Sequence, residues 1–251
     1  MGEVGGAMSD DASALFWNPA GLGGMKKLQA VVTYNLFVAD TSVLTPSFAI
    51  PVRGVGTFGL GGSFRMYSDD MLLSRDGISI GAGKPSAMLL SLGYGGSLGK
   101  IGSGPVLVGA SARFARASIP DVIAGAVGST AGTSINFGAG ILFRRIAGGL
   151  DAGAYVQNLG TAGKFGTVTG SSPLNVTIGA AYAIGLSKAT TADGSPISRI
   201  VPAVDFSLVK GLPTSVSAGV AGGLAFGSKF DRIIRAGFRG MRGTGTPISA
   251  G

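Results

Sequence analysis

The stretch 174–184 has the sequence LNVTIGAAYAI, in which apolar residues alternate with small or polar ones. Every second residue from Leu174 to Ile184 is apolar, whereas Asn175, Thr177 and Gly179 occupy positions between them. Successive side chains of a β-strand point to opposite faces of the sheet. This period of two therefore predicts a strand with one apolar face and one small or polar face.

The same alternation recurs along the chain and predicts about eleven strands in all. In 135–144, for example, Ile135, Phe137 and Ile141 alternate with Asn136 and Gly138. Besides 174–184, the predicted strands span residues 28–38, 43–52, 58–66, 88–94, 106–114, 135–144, 150–157, 204–208, 216–220 and 234–238.

Two architectures produce such strands, and the chemistry of the polar face distinguishes them. A soluble sandwich turns its apolar face inward, whereas a membrane barrel turns that face outward to lipid and keeps small or polar groups inside. The positions between the apolar ones are rich in Gly, Ser, Thr and Asn and poor in Lys and Glu. The longer segments approach the roughly nine to eleven residues of a tilted spanning strand. The sequence therefore favours an all-β fold, an antiparallel transmembrane β-barrel.

The composition argues against most enzyme chemistry. The 251 residues include no Cys and no His, which removes thiolate nucleophiles, His-dependent hydrolases and Cys- or His-ligated metal sites. With only 12 Asp and Glu, we expect no catalytic residue, metal or cofactor. The net charge of +8 comes from scattered cations. Because no nucleic-acid-binding module accompanies them, we expect no nucleic-acid partner.

The first 22 residues, MGEVGGAMSDDASALFWNPAGL, contain the most specific motif. A Gly-rich start leads through DDASA to an aromatic pair and NPAGL. This order resembles the amino-terminal signature of the PorV/PorQ group, which belongs with the FadL-like outer-membrane barrels that transport fatty acids and hydrocarbons. A second segment, GLDAGAYVQNLG at 149–160, is similar to a strand ending in QNLG in the same group.

The resemblance implies a barrel of about fourteen strands when complete. It also implies that residues 1–26 fold into the lumen as a plug and that 27–251 form the barrel. Asp10, Asp11 and Asn18 are unsuited to lipid, which agrees with a plug surrounded by protein or water. Single-chain bacterial barrels close with an even number of strands, and 248–250 resemble the start of another strand. We therefore expect both a missing export signal and a truncated C-terminus.

The plug contains the first candidate ligand-binding residues. Phe16 and Trp17 would face a hydrophobic molecule that enters the lumen, although aromatic residues in such positions often serve only to pack. Asn18 and Pro19 are included in the candidate site, but their Asn-Pro sequence indicates a turn more than a binding function.

Two prolines fall in the predicted strand 43–52. Pro46 and Pro51 each remove a backbone donor, which central strands normally avoid. One interpretation is a weakened seam through which a lipophilic molecule leaves sideways into the membrane. The other is a simple distortion at the end of a strand.

Several arginines lie on the polar face near strand ends. They could attract a carboxylate or phosphate head group, or they could form ordinary ion pairs with Asp151 and Asp205. These arginines are Arg65, Arg113, Arg144 and Arg239.

The sequence thus predicts an integral outer-membrane protein of a Gram-negative bacterium, in contact with lipid. Two functions that the resemblance implies stay open. One is passage of hydrophobic small molecules through the plugged lumen, and the other is a role with the proteins of type IX secretion. The alternative from another class is a structural or surface barrel that transports nothing.

Overall fold

A computed structural model of the chain describes residues 5–37, 41–67, 71–75, 78–123, 126–161, 163–165, 168–170, 172–185, 199–211, 215–226 and 230–241. Its strands are β1 Gln29–Leu36, β2 Thr41–Val52, β3 Gly56–Tyr67, β4 Met71–Arg75, β5 Ile78–Gly83, β6 Ser86–Ile101, β7 Gly104–Ile123, β8 Ala126–Phe143, β9 Leu150–Gly160, β10 Gly163–Phe165, β11 Val168–Gly170, β12 Asn175–Tyr182, β13 Ile184–Gly185, β14 Arg199–Val209, β15 Ser215–Phe226 and β16 Phe230–Met241. Two short 3-10 helices, Ala12–Phe16 and Pro19–Gly24, precede them.

One antiparallel sheet contains most of the strands. Its order is β1-β2-β3-β6-β7-β8-β9-β12-β14-β15-β16, with β13 paired to β14. Nearly every strand therefore pairs with its neighbour in sequence, and the small hairpins β4–β5 and β10–β11 interrupt this succession. Within the described residues, β1 and β16 are the two edges of the sheet, and no pairing joins them.

The prediction of an all-β, antiparallel fold is confirmed. Each predicted segment overlaps a strand of the main sheet. The sequence pattern missed the two small hairpins, whose strands are too short or too irregular in apolar alternation to give a signal. It also underestimated β7 and β8, which extend over 20 and 18 residues. The predicted further strand at 248–250 lies outside the described residues.

The two faces of the sheet differ in chemistry and in exposure. Large apolar side chains occupy one face, called the apolar face here, and remain exposed: Leu92 is 62% and Ile178 is 56% accessible. Their neighbours along the strands, Ser91 and Thr177, are 1% and 0% accessible. The apolar face also presents Phe48, Phe58, Leu60, Phe114, Ile135, Phe137, Val204, Phe206 and Leu208.

The opposite face, called the packed face here, is covered in part by residues 5–25. Leu15 and Leu22 of this N-terminal segment are fully buried in a cluster that includes Ala49 of β2. Ala7 and Ala20 pack in a second cluster with Leu107 and Leu142 of β7 and β8. The buried core of the described chain is therefore the contact between this segment and one face of the sheet.

Glycines allow the segment to approach the sheet at backbone distance. A methyl group at Gly109 of β7 would overlap the carbonyl oxygen of Pro19. A methyl group at Gly95 of β6 would lie 2.8 Å from Cβ of Leu22. A larger residue at either position would have to displace the segment, which is a physical reason for glycine on this face.

The described residues contain no helix that is long and apolar enough to cross a membrane.

Candidate functional site

The N-terminal segment is folded compactly on itself by short-range hydrogen bonds. Asp11 begins the first 3-10 helix by accepting a hydrogen bond from the Ser13 amide at 2.8 Å. The hydroxyl of Ser9 donates to the Gly5 carbonyl at 2.6 Å, which draws the start of the segment into a turn. The second helix begins with Pro19 after Asn18 as its N-cap, a position that suits proline because no helical donor is lost there.

Asn18 is the central polar residue of the segment and is fully buried. Its Oδ1 accepts from the Ala20 amide at 3.1 Å. Its Nδ2 donates to the Gly6 carbonyl at 2.9 Å and to the Ile141 carbonyl of β8 at 3.1 Å. One side chain therefore caps a helix, closes the segment on itself and ties it to the sheet. The interpretation that Asn18 and Pro19 hold a turn accounts for these contacts.

Four side chains of the packed face hold the segment by its backbone. Asp205 of β14 accepts from the amides of Gly5 and Gly6 at 2.8 and 2.7 Å. Arg144, just after β8, donates to the carbonyls of Ala7 and Ser9 at 3.2 and 2.6 Å. The other two contacts are Arg113 to the Leu15 carbonyl at 3.2 Å and Gln157 to the carbonyls of Phe16 and Trp17.

For one of the four arginines, these contacts favour ordinary ion pairing over attraction of a ligand head group. Arg144 pairs with Asp151 at 2.8 Å, as the ion-pair interpretation predicted. Asp205 accepts backbone amides of the segment, a role the sequence did not indicate. Arg239 pairs in register with Ser217, and its side chain lies outside the described part.

The two aromatic candidates lie side by side but differ in exposure. Phe16 is half-buried, and a methyl group at Gly61 of β3 would lie 2.9 Å from its Cζ. Trp17 packs over Gly5 and remains 37% accessible. Contact of either ring with a ligand stays a prediction.

Pro46 interrupts the pairing of β2 with β3 without shifting its register. Leu44 pairs with Phe64 and Ser47 with Gly61, whereas Thr45 and Pro46 between them have no partner in β3. These are the two pairs that would need an N–H at position 46, so the absence of that one donor explains the gap. The pairing of β2 with β1 continues through Pro46.

Pro51 leaves the sheet intact. It pairs with Thr57 of β3, and it lies two residues beyond Ala49, the partner of the first residue of β1. The N–H that proline lacks would therefore point to the β1 side of β2, beyond the end of β1. A lateral seam at Pro46 stays a prediction, and the gap that would support it is confined to two residues.

A cavity of about 320 Å³ lies on the packed face. It is lined by residues of β2, β3, β6, β7 and β8, together with Gly163 of β10. The buried polar side chains on this face include atoms without a hydrogen-bond partner among the described residues, namely Ser91 Oγ, Ser111 Oγ, Arg113 Nε, Asn136 Oδ1 and Asp205 Oδ1.

No family model and no curated protein matches this chain. Within the described residues, no group of three or more acidic side chains is placed to hold a metal ion.

Replacing Asn18 by Asp tests whether its buried amide is a structural tie. The carboxylate keeps the cap acceptor, which Asp provides as well as Asn at exposed caps, but it turns a donor toward two carbonyls into an acceptor. We expect Asn18→Asp to lower the free energy of unfolding by about 1–3 kcal/mol. Urea titration followed by fluorescence of Trp17, the single tryptophan, measures this.

The matched control is Asn175→Asp, because Asn175 uses its Oδ1 as an acceptor from Thr177 and a carboxylate can do the same. Its effect should stay within about 0.5 kcal/mol. Equal effects of the two changes would contradict the assignment of Asn18.

Replacing Pro46 by Ala should restore the missing pairs between β2 and β3. We expect a protected amide at position 46 in hydrogen exchange and a gain in stability of about 0.5–1.5 kcal/mol. Pro51→Ala is the control and should change stability by less than about 0.5 kcal/mol. A freely exchanging amide at position 46 would show that another cause opens the pairing.

Proposed function

We propose that this chain forms a membrane-spanning β-barrel of the outer membrane, closed inside by its N-terminal segment, and serves as a passage for small molecules. The observation that carries the proposal is that burial on the two faces of the sheet is opposite to that of a water-soluble protein. Its large apolar side chains are exposed, and Ser47, Thr57, Ser91, Thr177 and Asp205 are buried on the other face.

The energetics of this burial pattern favour lipid as the covering of the apolar face. Each large apolar side chain left in water forgoes about 1.5–3 kcal/mol of burial, and residues such as Leu60, Phe137 and Phe206 are about half exposed. A contiguous apolar surface on this scale needs a partner. Outward apolar residues with polar residues inside are the pattern of barrels in lipid.

The contacts of the N-terminal segment support a curved sheet. Residues near Leu15 pack against β2, while Gly5 and Gly6 bond to Asp205 of β14. These strands are seven steps apart in the sheet, roughly 34 Å along a flat surface at about 4.8 Å per step. Since Asn18 bonds to Gly6, the segment is too compact to bridge a flat sheet. The sheet therefore wraps around the segment, as a barrel around a plug would.

The strand lengths also agree with a membrane crossing. Except for β1 and β12, the strands along the main sheet have 11 residues or more. A tilted strand needs about nine to eleven residues to cross the hydrocarbon core.

The interior supports a passage more than a sealed structural barrel. Small residues line part of the packed face and leave a cavity of about 320 Å³ there. The segment is held in part through hydrogen bonds to its backbone, which can break without loss of the barrel wall. Hydrophobic cargo and a role in type IX secretion, both implied by the resemblance, stay predictions.

The proposal predicts that loosening the segment opens the passage. Asp205→Ala and Gln157→Ala in one chain remove four hydrogen bonds to the segment, each worth about 0.5–1.5 kcal/mol. Because about 1.4 kcal/mol corresponds to tenfold in a population, we expect glucose release from proteoliposomes to rise at least about tenfold.

The control variant is Ser103→Ala with Thr161→Ala, which removes three exposed side-chain bonds to backbone atoms away from the segment. Its release rate should match that of the unchanged chain. If the loosened variant inserts into liposomes and releases no more glucose than the control, the chain is a barrel without a passage.

A further inference from the structure

The cavity on the packed face exists because small side chains meet there. Several of its lining residues have at most two heavy side-chain atoms, although they come from four adjacent strands. These residues are Ser63, Ala87, Ala115, Ala117, Gly132 and Ser134. The space of about 320 Å³ is at the small end of ligand sites in proteins, so it suits a small molecule.

The charge at the cavity is positive. Arg65 of β3 and Arg116 of β7 line it, and none of its described lining residues is acidic. By register Arg116 shares the face of Phe114, so of the two arginines only Arg65 projects on the packed face. Arg65 lies on the packed face by register, because its partners are Val43 and Ala87, which also line the cavity. Its side chain is exposed, so an entering molecule can reach it.

A row of buried polar residues lies directly next to the cavity. Leu89, Ala115 and Ser134 form one row across β6, β7 and β8, and all three line the cavity. The next row on the same face is Ser91, Arg113 and Asn136.

These three residues are 1%, 8% and 6% accessible. Each has a polar atom without a partner among the described residues: Ser91 Oγ, Arg113 Nε and Asn136 Oδ1. None of the three residues lines the cavity itself, so the row adds polar surroundings to the cavity but offers no direct contact to a ligand.

We propose that this cavity binds a small organic oxyanion, a carboxylate or a phosphate ester, with the anionic group on Arg65. A guanidinium presents a planar fork of donors that matches the oxygens of either anion. An uncharged lipophile would make no use of these donors. The ligand class is therefore set by charge more than by hydrophobicity.

This inference rests on the proposed function in one respect: in the proposed barrel, the cavity would be part of the passage. Binding is measured on the full chain in detergent, whereas the passage is measured in liposomes. Failure of one therefore does not imply failure of the other.

The experiment is isothermal titration of the full chain with three probes: butyrate, methyl phosphate and neutral butanol. We expect saturable binding of at least one anion and none of butanol. Arg65→Gln should weaken that binding by at least about tenfold, the loss of one charge-assisted contact. Arg53→Gln, the same change in the exposed turn between β2 and β3, should leave it unaltered.

A second variant separates the cavity from general electrostatic attraction. Ala115→Leu fills the space without changing charge, so it should also abolish binding while the unfolding midpoint stays close to that of the unchanged chain. Binding of butyrate alone identifies a carboxylate site, and binding of methyl phosphate alone identifies a phosphate site. The proposal is overturned if neither anion binds, if butanol binds equally, or if Arg53→Gln and Arg65→Gln have equal effects.

Discussion

The opposite chemistry of the two faces of one sheet constrains every other feature of this chain. Large apolar side chains project from one face, and small or polar side chains from the other. The second face forms small apolar clusters with the N-terminal segment, and its buried polar groups need hydrogen-bonding partners. The backbone of the segment supplies several of these partners, and the glycines of both parts let the two backbones approach.

This arrangement makes the segment unusual in how it is attached. Its apolar side chains pack in two small clusters, and in addition Asp205, Arg144, Arg113 and Gln157 bond to its main-chain atoms. A segment attached in this way can be stable in a dry interior, yet it exchanges its partners for water once water enters. In the proposed barrel, stability and gating have the same physical origin. The cavity lies on the same polar face.

Much of the fold could be predicted from the sequence, because alternation with a period of two depends only on local order. The stretch 174–184 gave both the strand and the face on which Thr177 is buried. The hairpins β4–β5 and β10–β11 could not be predicted, since strands as short or irregular as Gly163–Phe165 show no alternation. The site was harder, because its partners are distant in sequence. Asn18 was recognised as a turn residue, but its bond to Ile141 and the row of Ser91, Arg113 and Asn136 depend on register across strands.

The most direct test of the account is which face of the sheet meets lipid. The chain has no Cys, so single spin labels can be placed by Val204→Cys, Phe206→Cys and Leu208→Cys on the apolar face of β14, and by Ser207→Cys on the packed face. In proteoliposomes, the account predicts that dissolved oxygen reaches the three apolar-face labels and that a water-soluble nickel chelate does not, while the label at 207 is less accessible to oxygen. Free access of the chelate to all three apolar-face labels would contradict it.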